Sequence, residues 1–213
     1  MPLFFQQQVN AHTQLAIWKI EEDEAFFNVP LQRSITHPHK RMQHLAGRYL
    51  LRFLEPRFPL SLIRIADTRK PFLENELFHF SISHCETYAA AIVSTQNRVG
   101  VDIEKVTEKI SRVRHKFLTE EELKTFPVRS NIEHTGSINS NAQLILAWSC
   151  KEAVFKWYGN GEVDFKKHMQ LKTVDTTDNK LFQIAILFTK EKDRLLGLQA
   201  HFFDDLCVSY MVT

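Results

Sequence analysis

One ordering constrains this chain more than any other feature: a helical stretch followed by alternating apolar runs occurs twice. In the first half, QLAIWKI (14–20) reads as a first strand. HPHKRMQHLAGRYLLRFLEPRF then reads as a helix, opened by Pro38 and running to about Glu55, ahead of Pro56. Met42, Leu45, Tyr49 and Phe53 fall at three- and four-residue steps and form one apolar stripe, with Lys40, Arg41, Arg48 and Arg52 on the other face. FHFSISHC (78–85), YAAAIVST (88–95) and RVGVDIEKV (98–106) follow, joined by short polar segments of the antiparallel kind. A three-strand meander packed on the helix is the expected outcome. In the second half FLTEEELKTF and NAQLILAWSCKEAVFKWYG read as helices, and HMQLKTV, KLFQIAILFT, LGLQAHFF and CVSYMVT as strands. The expected fold class is therefore α+β, a pseudo-duplicated pair of lobes over 1–100 and 101–213. Each is a helix on an antiparallel meander, and they meet near Val99 to Lys105. Ligand sites favour such seams.

Composition narrows the class further. Of 213 residues, 44% are apolar and 11% aromatic, enough for a packed interior. Lys+Arg number 27 against 25 Asp+Glu, a net charge of +2, which does not describe a non-specific nucleic-acid binder. Any anionic ligand must be held by local clusters. Cys85, Cys150 and Cys207 form an odd set without zinc-knuckle spacing, so a reducing cytoplasm is expected. MPLFFQQQVN lacks the basic start and apolar core of a signal peptide, and no run approaches the ~18 apolar residues of a membrane span; a soluble protein without membrane partners is expected. PVRSNIEHTGSINSNAQ (127–143) reads as a polar surface loop, either a lid or a tolerated insertion.

Three features carry chemistry. In Val99-Gly100-Val101-Asp102-Ile103-Glu104 the two-residue period puts Asp102 and Glu104 on one strand face, with Gly100 leaving space for a ligand beside them. Two such carboxylates repel unless solvent or a cation separates them, and oxygen-rich clusters suit a hard ion such as magnesium. The alternative is a solvated face with Glu104 paired to Lys105 or another lysine. In Trp148-Ser149-Cys150-Lys151-Glu152-Ala153-Val154-Phe155-Lys156, Glu152 and Lys156 share a helix face. Glu152 would complete a magnesium set and Lys156 would neutralise charge on a phosphate, or the two form a surface pair worth ~0.3 kcal/mol. In Ser81-Ile82-Ser83-His84, at a strand end, a hydroxyl and an imidazole can reach a phosphate together, or the histidine is a structural hydrogen-bonder. Lys70-Pro71 and the Lys40, Arg41, Arg48 face add further cations.

Together, KP, S-x-S-H, G-V-D-I-E-K and W-S-x-K-E-A-x-x-K, in this order over nearly the whole chain, resemble the Sfp-type 4′-phosphopantetheinyl transferases. The resemblance implies that family's two-lobe fold, with coenzyme A in the cleft between lobes. It implies magnesium on Asp102, Glu104 and Glu152, and catalysis by Glu152 as general base and Lys156 as charge stabiliser. Ser83 and His84 would hold the 3′-phosphate of coenzyme A, with Lys70, Arg48 and Arg41 near the phosphates. Arg69 stands where the family's G-K-P motif has glycine, so the turn there is expected to differ. The implied reaction moves the 4′-phosphopantetheine arm to a serine of an acyl or peptidyl carrier protein and releases 3′,5′-ADP. The carrier is expected to dock around 127–143. Internal lobe pairing predicts a monomer. The residues alone leave two rivals: a metal-dependent phosphoesterase or nuclease, and a catalytically silent homologue that binds coenzyme A or a carrier.

Overall fold

The computed structural model describes residues 2–125, 140–176 and 180–213. Strands β1 (Leu3–Asn10) and β2 (Thr13–Lys19) form a hairpin. Then come α1 (Glu24–Phe27), α2 (Pro38–Leu54), the short pair β3 (Arg64–Ile65) and β4 (Pro71–Phe72), and strands β5 (His79–Cys85) and β6 (Tyr88–Ser94). The chain continues through β7 (Val99–Lys105), α3 (Lys109–Val113), a 3-10 turn at Arg114–Lys116, α4 (Glu120–Thr125) and α5 (Ser140–Tyr158). Strands β8 (Met169–Thr176), β9 (Leu181–Phe188), β10 (Arg194–Phe203) and β11 (Leu206–Val212) close the sequence.

Among the described residues two larger antiparallel sheets result, ordered β1-β2-β6-β5 and β7-β11-β10-β9-β8, beside the two-stranded β3-β4. This is the expected α+β class, and helix α2 matches the span read from its pattern. Pro38 sits in its first turn, where an amide hydrogen would have no helical acceptor, and His37 caps the end by accepting from the Lys40 amide. Two expectations change. Strand β1 precedes the strand read as first, because FFQQQVN alternates with glutamines rather than with a clear apolar face. The three-strand meander is also broken. Strand β6 is paired on both edges, by β2 and β5, so β7 finds its partner in β11 instead, with Val99 opposite Val212 and Lys105 opposite Leu206.

Three cores hold these layers. Helix α2 buries Leu45, Leu50, Leu51 and Leu54 against Trp18, Ala91 and Val93 on one face of the first sheet. Helix α5 buries Ile145, Leu146, Val154 and Trp157 against Ile184, Ile186 and Leu198 of the second. Leu15, Ile17 and Ile92 meet Val101, Ile103 and Val208 between the remaining faces. Each fully buried Leu, Ile or Val contributes roughly 1.5–3 kcal/mol. The expected stripe on α2 is rotated: Phe53 is 37% exposed, and Arg48, assigned to the polar face, is buried. No helix among the described residues is long and apolar enough to cross a membrane. Of the segment read as a loop, 140–143 begin α5, and 127–139 lie outside the described residues.

Candidate active site

Strand alternation decides which side chains of β7 meet α5. Val99, Val101 and Ile103 enter the core between the sheets, so Gly100, Asp102 and Glu104 face the helix. Gly100 does not leave room for a ligand. A Cβ there would strike the Ala153 carbonyl and come within 2.9 Å of Trp157 Cβ, because the α5 backbone lies directly on the strand. Glycine is required here for close approach of helix to strand.

The W-S-x-K-E run then registers α5. Trp148 Nε1 donates to Glu104 Oε1 at 3.0 Å. Ser149 Oγ lies 2.7 Å from Ser209 Oγ, and Ser209 is opposite Asp102 in the ladder. Lys151 turns away to Glu122 Oε1 at 2.7 Å. With those three anchored, Glu152 and Lys156 project toward the β7 carboxylates.

Asp102 is 2% exposed, and its Oδ1 accepts from Lys156 Nζ at 2.6 Å and from Ser83 Oγ at 2.8 Å. Lys156 also donates to Ser83 Oγ at 2.7 Å. It therefore does not form the surface pair with Glu152. Nor does Glu104 pair with Lys105, which bonds Glu86 and Asp205 at 3.2 and 3.3 Å. Burial, then the charge of Asp102, pushes Glu152 up to about 7. The same two causes push Glu104 up to about 7, against the opposing Trp148 hydrogen bond and Lys156.

Asp102 Oδ2 is buried without a hydrogen-bond partner among the described residues. An orphaned carboxylate oxygen beside two carboxyls held up in pKa is an environment short of positive charge. Among the described residues no three His, Cys, Asp or Glu side chains make a finished metal cage. Magnesium does not require one, since it takes one or two carboxylates and completes its octahedron with water and phosphate oxygens. Asp102, through its unpartnered Oδ2, with Glu104 or Glu152 beside it, offers that many carboxylates.

Lys156 also lines a cavity of about 250 Å³, along with His44, Arg48, Lys70, His84 and Arg33. Arg69 adds a further guanidinium, and no Asp or Glu is among the described residues of this lining. Arg48 is held by Gln32 Oε1 at 2.7 Å and His44 O at 3.5 Å. Burial, then His84, lowers His44 to about 4, and burial, then Lys156, lowers His84. Lys70 is lowered to about 8 by burial and then Arg98, and donates to the Trp157 carbonyl at 3.3 Å. Arg69 holds a left-handed φ of 66°, a conformation that glycine adopts freely and a residue with a Cβ adopts at a cost.

The structure thus brings Asp102, Glu104, Glu152, Lys156 and Ser83 to one side of the seam, and Lys70, Arg48 and His84 to the adjoining cavity. Ser83 and His84 do not act as a pair: Ser83 turns to Asp102, while the His84 ring lies 5.2 Å from that of His44. Arg41 lies elsewhere, bonded through Nε and Nη2 to Glu24. Arg33 and His44 are additions that sequence reasoning missed; the i,i+4 spacing of His44 and Arg48 on α2 was the available signal.

Residues 98–210 match the profile of the 4′-phosphopantetheinyl transferase superfamily, and the chain belongs to that family. It is 32% identical over 121 residues to enterobactin synthase component D of Salmonella austin, covering 57% of this chain and 49% of that protein. The corresponding protein of Salmonella typhi is 36% identical over 128 residues, with the same coverage. The 4′-phosphopantetheinyl transferase gsp of Aneurinibacillus migulanus is 28% identical over 117 residues, 55% of this chain and 46% of its own length. The chain spans about half the length of the curated relatives it matches.

Proposed function

We propose that this protein transfers the 4′-phosphopantetheine arm of coenzyme A to a serine of an acyl or peptidyl carrier protein and releases 3′,5′-ADP. One observation carries the reading: a cavity lined by cations, with no carboxylate among its described residues, adjoins a carboxylate trio centred on the buried Asp102, with Lys156 reaching both. Such a lining calls for a polyanion. Coenzyme A offers a pyrophosphate and a separate 3′-phosphate, and the family membership favours it over other phosphate esters.

Asp102, Glu104 and Glu152 would hold magnesium, which when bound supplies positive charge to the pyrophosphate. Glu152, which burial and the Asp102 charge push up to about 7 before a cation arrives, would accept the serine proton, directly or through water. The serine oxygen forms a bond to the β-phosphorus as the bond from that phosphorus to the bridging oxygen breaks. The electron pair leaves with 3′,5′-ADP, and Lys156 steadies the charge on the departing phosphate. Lys70, Arg48 and His84 position the nucleotide phosphates, and Ser83 orients Lys156 and Asp102. We place the lobe boundary just ahead of β7, since Val99 and Gly100, on the first-lobe side of a 100/101 division, already pair with β11 of the second sheet. We read the enzyme as a monomer and as cytoplasmic, and the free thiols Cys85, Cys150 and Cys207 are consistent with that compartment.

The test is the intact mass of a purified apo carrier after incubation with the protein, coenzyme A and magnesium. A gain of about 340 Da, absent with chelator, is expected for transfer of the arm. No gain on fatty-acid and peptide carriers, with the protein folded, would sink the reading.

A further inference from the structure

Strands β5 and β7 are outer strands of the two larger sheets, and they lie against each other without sharing a ladder. Amides on the free edge of β7 must therefore find acceptors outside a sheet, because a buried amide without one is costly. Ser81 supplies such an acceptor: the Val101 amide donates to its Oγ at 3.2 Å. Two residues on, Ser83 Oγ donates to Asp102 Oδ1 at 2.8 Å and accepts from Lys156 Nζ at 2.7 Å. Both serines are buried, yet they stand differently toward a ligand.

A hydroxyl has one hydrogen to give. That of Ser83 is spent on Asp102, and Ser83 is not among the residues that line the cavity. Ser81 does line it, and although its oxygen is engaged by Val101, its hydrogen meets no acceptor among the described residues. Thr68, the other hydroxyl of the described lining, donates to the Gly159 carbonyl at 3.1 Å. A spare neutral donor thus borders a cavity whose charged groups, among the described residues, are all cationic. Unlike a lysine on its flexible stem, this donor is fixed by main chain on one side, so little freedom is lost when it binds.

We propose that Ser81, rather than Ser83, is the hydroxyl that holds a phosphate of the bound nucleotide, donating to one phosphate oxygen while its own oxygen stays on the Val101 amide. This rests on the transferase reading above and gives a role to a residue that the reading leaves unused. Donation runs one way along Val101 N–H, Ser81 O–H and the phosphate oxygen, so each bond polarises the next. Filling the cavity is then felt at the residue beside Asp102. One hydrogen serves one phosphate, so the contact favours a single phosphate position of the nucleotide.

The experiment titrates 3′,5′-ADP, 3′-AMP and 5′-AMP, without metal, into wild type, Ser81→Ala and Ser83→Ala by calorimetry. Ser81→Ala is expected to weaken 3′,5′-ADP and one of the two monophosphates by about tenfold or more, and the other monophosphate by less than about twofold. Ser83→Ala should change each by less than about threefold. In the wild type, the Val101 amide should move downfield in a proton–nitrogen correlation spectrum as 3′,5′-ADP saturates the protein, and this movement should vanish in Ser81→Ala. Unchanged affinity in Ser81→Ala, equal loss of both monophosphates, or a Ser83→Ala loss as large as that of Ser81→Ala overturns the assignment. A Val101 amide that stays still at saturation overturns it as well, on wild-type protein alone. If 3′,5′-ADP does not bind the wild type, the assignment falls; if it binds as expected and no carrier gains mass, the transferase reading fails by itself.

Discussion

Lys151 and Lys156 leave the same helix five positions apart, and each meets a buried carboxylate, yet the two pairs are built differently. Lys151 is wholly buried, and Nζ finds Glu122 Oε1 and the carbonyls of Phe117 and Phe165 at 2.7, 2.7 and 3.1 Å. Its carboxylate partner is equally satisfied, accepting from the Leu171 amide at 2.9 Å through Oε1 and from the Thr119 amide at 2.8 Å through Oε2. The Lys156 pair is open. Its side chain is 26% exposed, it lines the cavity, and Asp102 Oδ2 has no partner among the described residues. A closed pair ties segments together; an open one has bonding capacity left for something that arrives later.

The largest effect that sharpens this contrast is catalytic. Glu152→Gln should lower transfer by about 10²–10⁴ with the fold intact, whereas Glu122→Gln should act mainly on the melt. Initial rates by mass and thermal denaturation of both variants measure it; equal catalytic loss in the two would break the distinction.

Next in size is stability. Lys151→Met strands the Glu122 charge in the core and should cost about 3–5 kcal/mol in urea unfolding. Lys156→Met should cost less, with magnesium recovering part of the loss, because Lys156 is partly exposed and a cation at the three carboxylates would replace its charge beside Asp102. The reverse order would contradict the assignment of roles.

A smaller effect is pH-dependent. Glu104 and Glu152 are pushed up to about 7 from the ordinary 4.5. Their folded pKa is raised, so their contribution is fully present below about 4.5 and is lost as pH rises through about 7. Magnesium favours the ionised forms, so the melting temperature gained on adding it should be larger at about pH 8 than at about pH 6. An equal gain at both would remove the carboxylates as its binding site.

The smallest is at the cavity wall. Arg69→Gly relieves a left-handed backbone and should stabilise by at most about 1 kcal/mol while weakening coenzyme A binding. A lower melting temperature would show that the guanidinium, not the backbone, dominates there.

Local pattern reached much of this architecture. Strand alternation placed Asp102 and Glu104 on one face, and helix periodicity placed Glu152 beside Lys156. What escaped depends on contacts distant in sequence. Nothing local tells β7 to leave β6 for β11, more than a hundred residues away. Adjacency misled in the case of Ser83 and His84, since neighbours on a strand point to opposite faces. Arg48 read as a surface cation because helix pattern cannot foresee a cavity that buries a guanidinium with Gln32 and His44. Arg33 sits in no motif, and the i,i+4 spacing of His44 and Arg48 gains meaning only once α2 faces β5.

The contact at Gly100 has a mechanical consequence. Along most of the helix–sheet interface side chains act as spacers, and a substitution is absorbed by rotamer shifts. Where backbone rests on backbone no such cushion exists, and the nearest obstacles to a Cβ belong to Ala153 and Trp157, one and five residues beyond Glu152. The gap across which the strand and helix carboxylates face each other is thus gauged by main chain alone, so it is insulated from drift in core packing and exposed to a single methyl group at position 100.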